Sequence, residues 1–191
     1  MKSVWVVLAL LFCSFSEGLL RAQCSTDFSA PASACSGDEV TFTYIDTTQS
    51  HTVYWDFGDV FSGTSNNSTD SISTHVFLTA GKYTVTLIVN DTGGCSDTVI
   101  KIIDIYKKPV ADFSYTNNCK NLKTTFTNLT NGDTVDLINS YNWDFGNGNN
   151  ATVKNPVQTY SAAGSLSVQL IVSSASGCRD TVVKTVKINP T

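Results

Sequence analysis

Residues 53–60 read VYWDFGDV, and residues 141–148 read YNWDFGNG. The shared Trp-Asp-Phe-Gly tetrapeptide uses two of the three tryptophans in a chain of 191 residues. When the two copies are aligned, the chain divides into two similar halves. Each copy is followed by an alternating apolar run and then by a Gly-Cys-x-Asp-Thr segment, at residues 94–98 and 177–181. The sequence therefore predicts a tandem repeat of one domain.

Alternation of apolar and polar residues dominates each half. In the first half Val85 and Leu87 point one way while Thr84 and Thr86 point the other, and no helical stretch is apparent. Clusters of Gly, Asn, Asp and Ser separate the alternating runs, as turns require. We predict an all-β chain of two tandem immunoglobulin-like antiparallel β-sandwiches, at residues 24–107 and 108–191.

The repeated tetrapeptide is predicted to be structural in both halves. Its Trp and Phe share one face of a strand and fill a small core. The Asp is placed to accept a backbone amide in the following turn, which the Gly permits. The predicted structural residues are Trp55, Asp56, Phe57, Gly58, Trp143, Asp144, Phe145 and Gly146.

The first 23 residues are predicted to be a secretory signal peptide. A basic start precedes an apolar run at residues 4–15, and LLRAQ follows it. The apolar run is too short to span a bilayer, so we expect a secreted or cell-surface protein without a transmembrane segment in its mature chain. Cleavage after Ala22 or Gln23 places Cys24 at or beside the new N-terminus. This raises lipidation as one fate of Cys24, although Gln23 is an unusual residue before a lipidated cysteine.

The other cysteines of the mature chain occupy equivalent places in the two halves. Disulfides are expected in an exported chain. The simplest pairing is one bridge per domain, Cys35–Cys95 and Cys119–Cys178. Cys24 is left over as a free, lipidated or intermolecularly bonded residue.

These motifs resemble those of the polycystic kidney disease (PKD) domain. The similar segments are residues 55–59, 75–77 and 80–87, then residues 143–147 and 163–170. The resemblance implies immunoglobulin-like sandwiches that serve as spacers, stalks and interaction modules of extracellular proteins. It also implies a non-catalytic scaffold that needs no cofactor.

Catalytic and nucleic-acid functions find no support in the residues. The chain has two histidines, His51 and His75, and Gln158 stands in the second half where His75 stands in the first. No nucleophile motif, CxxC pair or phosphate-binding glycine loop is present. The formal net charge is −4 and no basic cluster occurs, which argues against nucleic acid as a partner.

Calcium and O-glycosylation are two alternatives that the loops leave open. Asp59, Asn66, Asn67 and Asp70 offer oxygen ligands without EF-hand spacing, so no metal site is predicted and calcium stays an alternative. Asp-Ser/Thr triplets begin at residues 46, 70, 97, 133 and 180 and resemble a bacterial O-glycosylation motif. Those at residues 70 and 133 lie in variable loops and are the better candidates.

The loops that differ most between the halves, residues 60–74 and 131–140, are the predicted contact surfaces. We expect an extracellular protein or polysaccharide as the partner of a spacer or adhesion module. The alternative function is a carbohydrate-binding accessory module of a polysaccharide-degrading system. That alternative requires a row of exposed aromatic rings, for which the candidates are Tyr54, Phe61, Tyr106 and Tyr141.

Overall fold

The computed structural model describes residues 26–45, 51–91, 96–116 and 118–190. The signal peptide, Cys24 and Cys95 lie outside the described residues. Within these ranges the chain is all-β apart from one 3-10 turn at Gly63–Asn66. Two immunoglobulin-like sandwiches follow one another, which confirms the predicted fold class.

Domain 1, the name used here for residues 26–106, contains two sheets. One has the strand order β1-β3-β6 and the other β2-β8-β7-β4-β5. The strands are β1 (Phe28–Ser29), β2 (Ser33–Cys35), β3 (Glu39–Tyr44), β4 (His51–Asp56), β5 (Asn67–Ser68), β6 (Ile72–Val76), β7 (Gly81–Asp91) and β8 (Ser96–Tyr106).

Domain 2, residues 108–190, repeats this plan. Its sheets have the orders β13-β10-β9 and β12-β11-β14-β15. The strands are β9 (Phe113–Thr116), β10 (Lys123–Asn128), β11 (Ile138–Asp144), β12 (Asn150–Ala151), β13 (Val157–Thr159), β14 (Gly164–Ser174) and β15 (Arg179–Ile188).

The alternation in the sequence sets which side chains form each core. In β14, Val168, Leu170 and Val172 are fully buried, Ser167 before them is exposed, and Gln169 and Ile171 between them are half-buried. The two halves bury separate hydrophobic clusters, one for each domain. Each cluster holds one tryptophan, so each sandwich has a core of its own.

One strand pairing differs from the antiparallel prediction. Short strand β2 pairs in parallel with the end of β8, which places Cys35 opposite Tyr106. Domain 2 repeats this contact as a parallel bridge between Cys119 and Asn189. Cys35 and Cys119 therefore lie at the C-terminal end of their domains, beside the last residues of the last strand.

The predicted disulfide pairing is wrong, because the structure joins Cys35 to Cys178 and leaves Cys119 free. The Cα atoms of the bonded pair are 5.7 Å apart. Within domain 2, by contrast, Cys119 lies beside Asn189 while Cys178 directly precedes β15. Strand β15 has 10 residues and spans about 33 Å. A disulfide joins Cα atoms less than about 7 Å apart, so Cys119 and Cys178 are too far apart to bond to each other.

The two predicted partners in domain 1 have the same order relative to its last strand. Cys35 lies opposite Tyr106, at the end of β8, and Cys95 directly precedes Ser96 at the start of that strand in the sequence. The cysteine at the far end of one domain thus bonds to the Gly-Cys turn of the next domain, not to the turn of its own domain.

Candidate functional site

The repeated tetrapeptide builds a core and a turn. Trp55 and Trp143 are fully buried, and their indole nitrogens donate to the carbonyls of Asp70 and Val153, at 2.8 and 3.1 Å. Phe57 lies 6.3 Å from Trp55, with the two rings nearly parallel. The one polar group of each tryptophan side chain therefore has a partner inside the fold, as expected for a scaffold residue.

The Asp and Gly of the tetrapeptide close the turn that follows. Asp56 accepts a hydrogen bond from the amide of Gly58 at 2.9 Å, and Asp144 accepts one from Gly146 at 2.8 Å. Both glycines have φ of +71°. A β carbon would lie 2.5 Å from a backbone oxygen at Gly58 and 2.4 Å from one at Gly146. Neither position accommodates a side chain.

A buried polar pair follows the tetrapeptide in domain 1 only. His75 Nε2 lies 3.1 Å from a carboxylate oxygen of Asp59, and both residues are buried. The imidazole stacks on Phe57 at 4.7 Å. In domain 2 the equivalent Gln158 and Asn147 do not form this pair, since Gln158 donates to Thr159. The pair joins the turn to β6.

Hydrogen bonds within the protein engage the side chains of three of the four candidate calcium ligands, Asp59, Asn66 and Asn67. Asn66 Oδ1 accepts from the amide of Asp59 at 2.6 Å, and its Nδ2 donates to Asp56 at 2.8 Å. Asn67 accepts from the hydroxyl of Tyr54. In the described part of the chain no three His, Cys, Asp or Glu side chains form a cluster that could hold a metal.

The turn that carries Cys178 is held by a buried carboxylate. Asp136 accepts hydrogen bonds from the amide of Ser176, at 3.0 Å, and from its hydroxyl. Burial raises the pKa of Asp136, but hydrogen bonds from Ser174 and Ser176 outweigh this and hold the pKa below its ordinary value. The Cys178 amide in turn donates to the hydroxyl of Ser174 at 3.1 Å. The position of the bridging sulfur is thus fixed by its own domain.

The Asp of the Gly-Cys-x-Asp-Thr segment forms a hydrogen bond to the backbone at the start of each domain. Asp97 accepts from the amide of Thr26 at 3.2 Å, and Asp180 accepts from that of Ala111 at 2.7 Å. These contacts give the triplets at residues 97 and 180 a structural role. Ser71 and Thr134, in the two triplets favoured for glycosylation, are exposed.

The two variable loops are not equivalent in the fold. Residues 60–74 follow the tryptophan strand of domain 1, whereas residues 131–140 precede that of domain 2. The first loop borders a shallow groove of about 800 Å³ beside edge strand β6. We call this surface the β6 groove, and its exposed apolar residues are Phe61, Ile72, Val76 and Leu78.

The four candidate aromatic rings do not form a row. Tyr54 points outward from β4, and its hydroxyl donates to Asn67 at 2.7 Å. Tyr141 instead packs against the core of domain 2. Phe61 lies in the loop beside the β6 groove, and Tyr106 lies at the end of β8.

Comparison with models of protein families shows the family to which the two domains belong. One model of the PKD domain matches residues 26–103, and a second matches residues 106–189. The chain belongs to the PKD domain family. Its matched regions agree with the two hydrophobic cores, so it is a tandem PKD-domain protein.

A curated relative is the pre-pro-metalloprotease PrtV of Vibrio cholerae, 43% identical over 60 residues. Those residues are 31% of this chain and 6% of PrtV, so the chain spans a small part of that relative's length. No helix in the described part of the chain is long and apolar enough to cross a membrane.

Two solved structures of PKD domains are similar to about half of the chain. The PKD1 domain of Vibrio anguillarum Epp is 28% identical, and the match covers 45% of this chain and 99% of that one, with a TM-score of 0.42. The PKD1 domain of V. cholerae PrtV is 38% identical, and the match covers 43% and 98%, with a TM-score of 0.39.

Proposed function

We propose that this protein is an exported, non-catalytic spacer in which two PKD domains are held as one unit and present binding loops outside the cell. Membership of the PKD family supports the modular role. The Cys35–Cys178 disulfide supports an oxidising location, because such bonds persist in secreted proteins and are rare in the cytosol.

The interdomain disulfide is the observation that carries the proposal. It joins the C-terminal end of domain 1 to a turn of domain 2. The linker forms a second connection at the same junction, where the amide and the ammonium of Lys108 bond to Ser36 and Asp38. Two separate covalent connections between two bodies restrict hinge motion far more than a single linker does, and a spacer requires that restriction.

Small-angle X-ray scattering tests this role. The intact protein is expected to scatter as one body with a narrow range of interdomain arrangements. Cys35→Ser removes the bridge and should broaden that range, whereas Cys119→Ser removes a cysteine that forms no bond and serves as the matched control. Identical scattering from the intact protein and Cys35→Ser would contradict the spacer proposal.

The β6 groove is the surface that we propose for partner binding. Phe61 is 94% exposed and Leu78 is 79% exposed, and edge strand β6 lies between the loops that carry them. An exposed sheet edge beside apolar side chains suits an extended protein segment, which adds its backbone to the strand. Phe61→Ser should weaken such binding without affecting the core, because the ring contacts solvent.

The carbohydrate-binding alternative depends on a platform of aromatic rings. Tyr141 packs inward and Tyr54 points outward, so these two tyrosines do not present one surface. We therefore expect no retention of the disulfide-bonded protein on a panel of insoluble polysaccharides. Retention that Tyr54→Ala abolishes would establish the alternative.

A further inference from the structure

Cys119 occupies in domain 2 the place that Cys35 occupies in domain 1. Each cysteine forms a parallel bridge to the end of the last strand, Cys35 to Tyr106 and Cys119 to Asn189. Cys35 is bonded to the following domain, while Cys119 is a partly buried free thiol. The two repeats thus show one position in two states, bonded and open.

The backbone around the two cysteines is also the same. Each of the three residues after the cysteine donates an equivalent amide hydrogen bond. In domain 1 the amides of Ser36, Gly37 and Asp38 donate to the carbonyls of Tyr106, Phe77 and Cys35, at 2.8, 2.8 and 3.0 Å. In domain 2 the amides of Lys120, Asn121 and Leu122 donate to the carbonyls of Asn189, Tyr160 and Cys119, at 2.9, 2.8 and 3.2 Å.

Domain 2 keeps this turn without the glycine that makes it easy to form. Gly37 has φ of +82°, and Asn121 has φ of +61° at the same place. Among the described residues Asn121 is the one non-glycine residue with a positive φ. Asparagine adopts this conformation more readily than most other non-glycine residues, because its short polar side chain can bond locally. The geometry that presents the thiol is therefore preserved although no bond uses it.

We propose that Cys119 forms the same interdomain disulfide with the Gly-Cys turn of a further PKD domain. That domain would dock on domain 2 as domain 2 docks on domain 1. Its recognition element is the segment that carries Cys178 here, a Gly-Cys turn directly before a last strand. This proposal rests on the spacer function, because it makes the disulfide a repeating connection between successive domains.

The bond forms by oxidation of two thiols. The two S–H bonds break and one S–S bond forms, while two protons and two electrons pass to a disulfide oxidant. With oxidised glutathione as that oxidant, one glutathione disulfide becomes two molecules of glutathione for each bond formed. The same oxidant forms Cys35–Cys178, so one reaction reports on both positions.

A three-domain chain tests the proposal in one polypeptide. Residues 107–190 are appended after Asn189, which reproduces the junction that follows Tyr106. The appended copy carries Cys119→Ser, and Ala175→Ser as a mass tag on its Cys178 peptide. After oxidation with glutathione disulfide, mass spectrometry of non-reduced peptides should show Cys119 bonded to the tagged peptide and Cys35 bonded to the untagged one.

The outcomes separate this proposal from the proposed function. A Cys35–Cys178 bond with Cys119 still open to alkylation, or bonded to glutathione alone, would overturn the inference and leave the spacer function standing. Absence of both bonds from the folded chain would contradict the spacer function itself.

The full chain with Cys35→Ser supplies a second arm between two molecules, which does not depend on folding of an appended domain. This substitution frees Cys178, so Cys119 of one copy is expected to bond slowly to Cys178 of another. Cys35→Ser/Cys119→Ser should remain free of that bond. If the single variant shows only glutathione on Cys119, the Gly-Cys turn is not its partner and the proposal fails.

Discussion

The Cys35–Cys178 bond should shield most of the chain from a pulling force. When handles are attached before Thr26 and after Pro190, the shortest covalent path runs through residues 26–35, the disulfide and residues 178–190. The bonded cysteines are 143 residues apart in the sequence, and the chain between them carries no load. Reduction, or Cys35→Ser, removes this shortcut.

The difference in extension follows from the two path lengths. The shortened path has roughly 23 residues and reaches at most about 80 Å, whereas the full chain of roughly 165 residues reaches about 570 Å. In the folded protein, segment 26–35 and strand β15 each cross one sandwich, about 33 Å. The oxidised molecule therefore has only a few tens of Å left to release.

Single-molecule force spectroscopy measures this directly. Reduced molecules should unfold in two steps of roughly 240 Å, one for each domain, because each holds about 80 residues. Oxidised molecules should show neither step, and Cys119→Ser should behave as the unaltered protein. Steps near 240 Å in oxidised molecules would refute the interdomain bridge as the path of the load.

Three further predictions concern individual residues. Gly146→Ala should lower the free energy of unfolding by more than about 2 kcal/mol, because the turn has positive φ and the new β carbon meets a backbone oxygen. Gly148→Ala also has positive φ but open space around it, so it should lower the free energy of unfolding by about 1 kcal/mol. Chemical denaturation of the two variants checks this, and equal losses would contradict it. The lowered pKa of Asp136 means that its contribution to stability is present above about pH 4 and is lost as the pH falls through the folded-state value. Unfolding measured from neutral to acidic pH should therefore show a smaller acid-induced loss in Asp136→Asn, and an unchanged loss would count against this role. His75→Gln should cost about 1–3 kcal/mol by leaving buried Asp59 without its partner, and adding Asp59→Asn should recover part of the loss; a double-mutant cycle with purely additive losses would disprove the coupling.

The alternating pattern was sufficient to predict the long strand that follows each tryptophan and the side chains that this strand buries. It works because each strand packs one face against its own domain, so that the period of the side chains alone selects residues such as Val168 and Leu170. The repeated tetrapeptide also indicated the family, since its aspartate and glycine meet constraints that are local to one turn. Local constraints can be read from a sequence.

The disulfide pairing was not predictable by the same reasoning. Assigning one bridge to each domain assumes that the two cysteines of a repeat lie together, although in domain 2 a strand of about 33 Å separates them. A signal was present, because one cysteine precedes a long strand and the other adjoins its far end. Using that signal requires the parallel contact of Cys35 with Tyr106, which involves residues far apart in sequence.

The buried carboxylate of Asp136 was missed for another reason. It lies at residues 131–140, a segment whose sequence differs between the halves, so the repeat does not point to it. Its partners, Ser174 and Ser176, adjoin the Gly-Cys turn about 40 residues later and read as ordinary turn residues.

Peptide mapping of the oxidised protein without reduction tests the central claim most directly. We expect one disulfide-linked peptide pair that contains Cys35 and Cys178, and Cys119 recovered in its alkylated form. A Cys119–Cys178 or Cys35–Cys95 pair in the folded protein would contradict the account, because the two domains would then be joined by their linker alone.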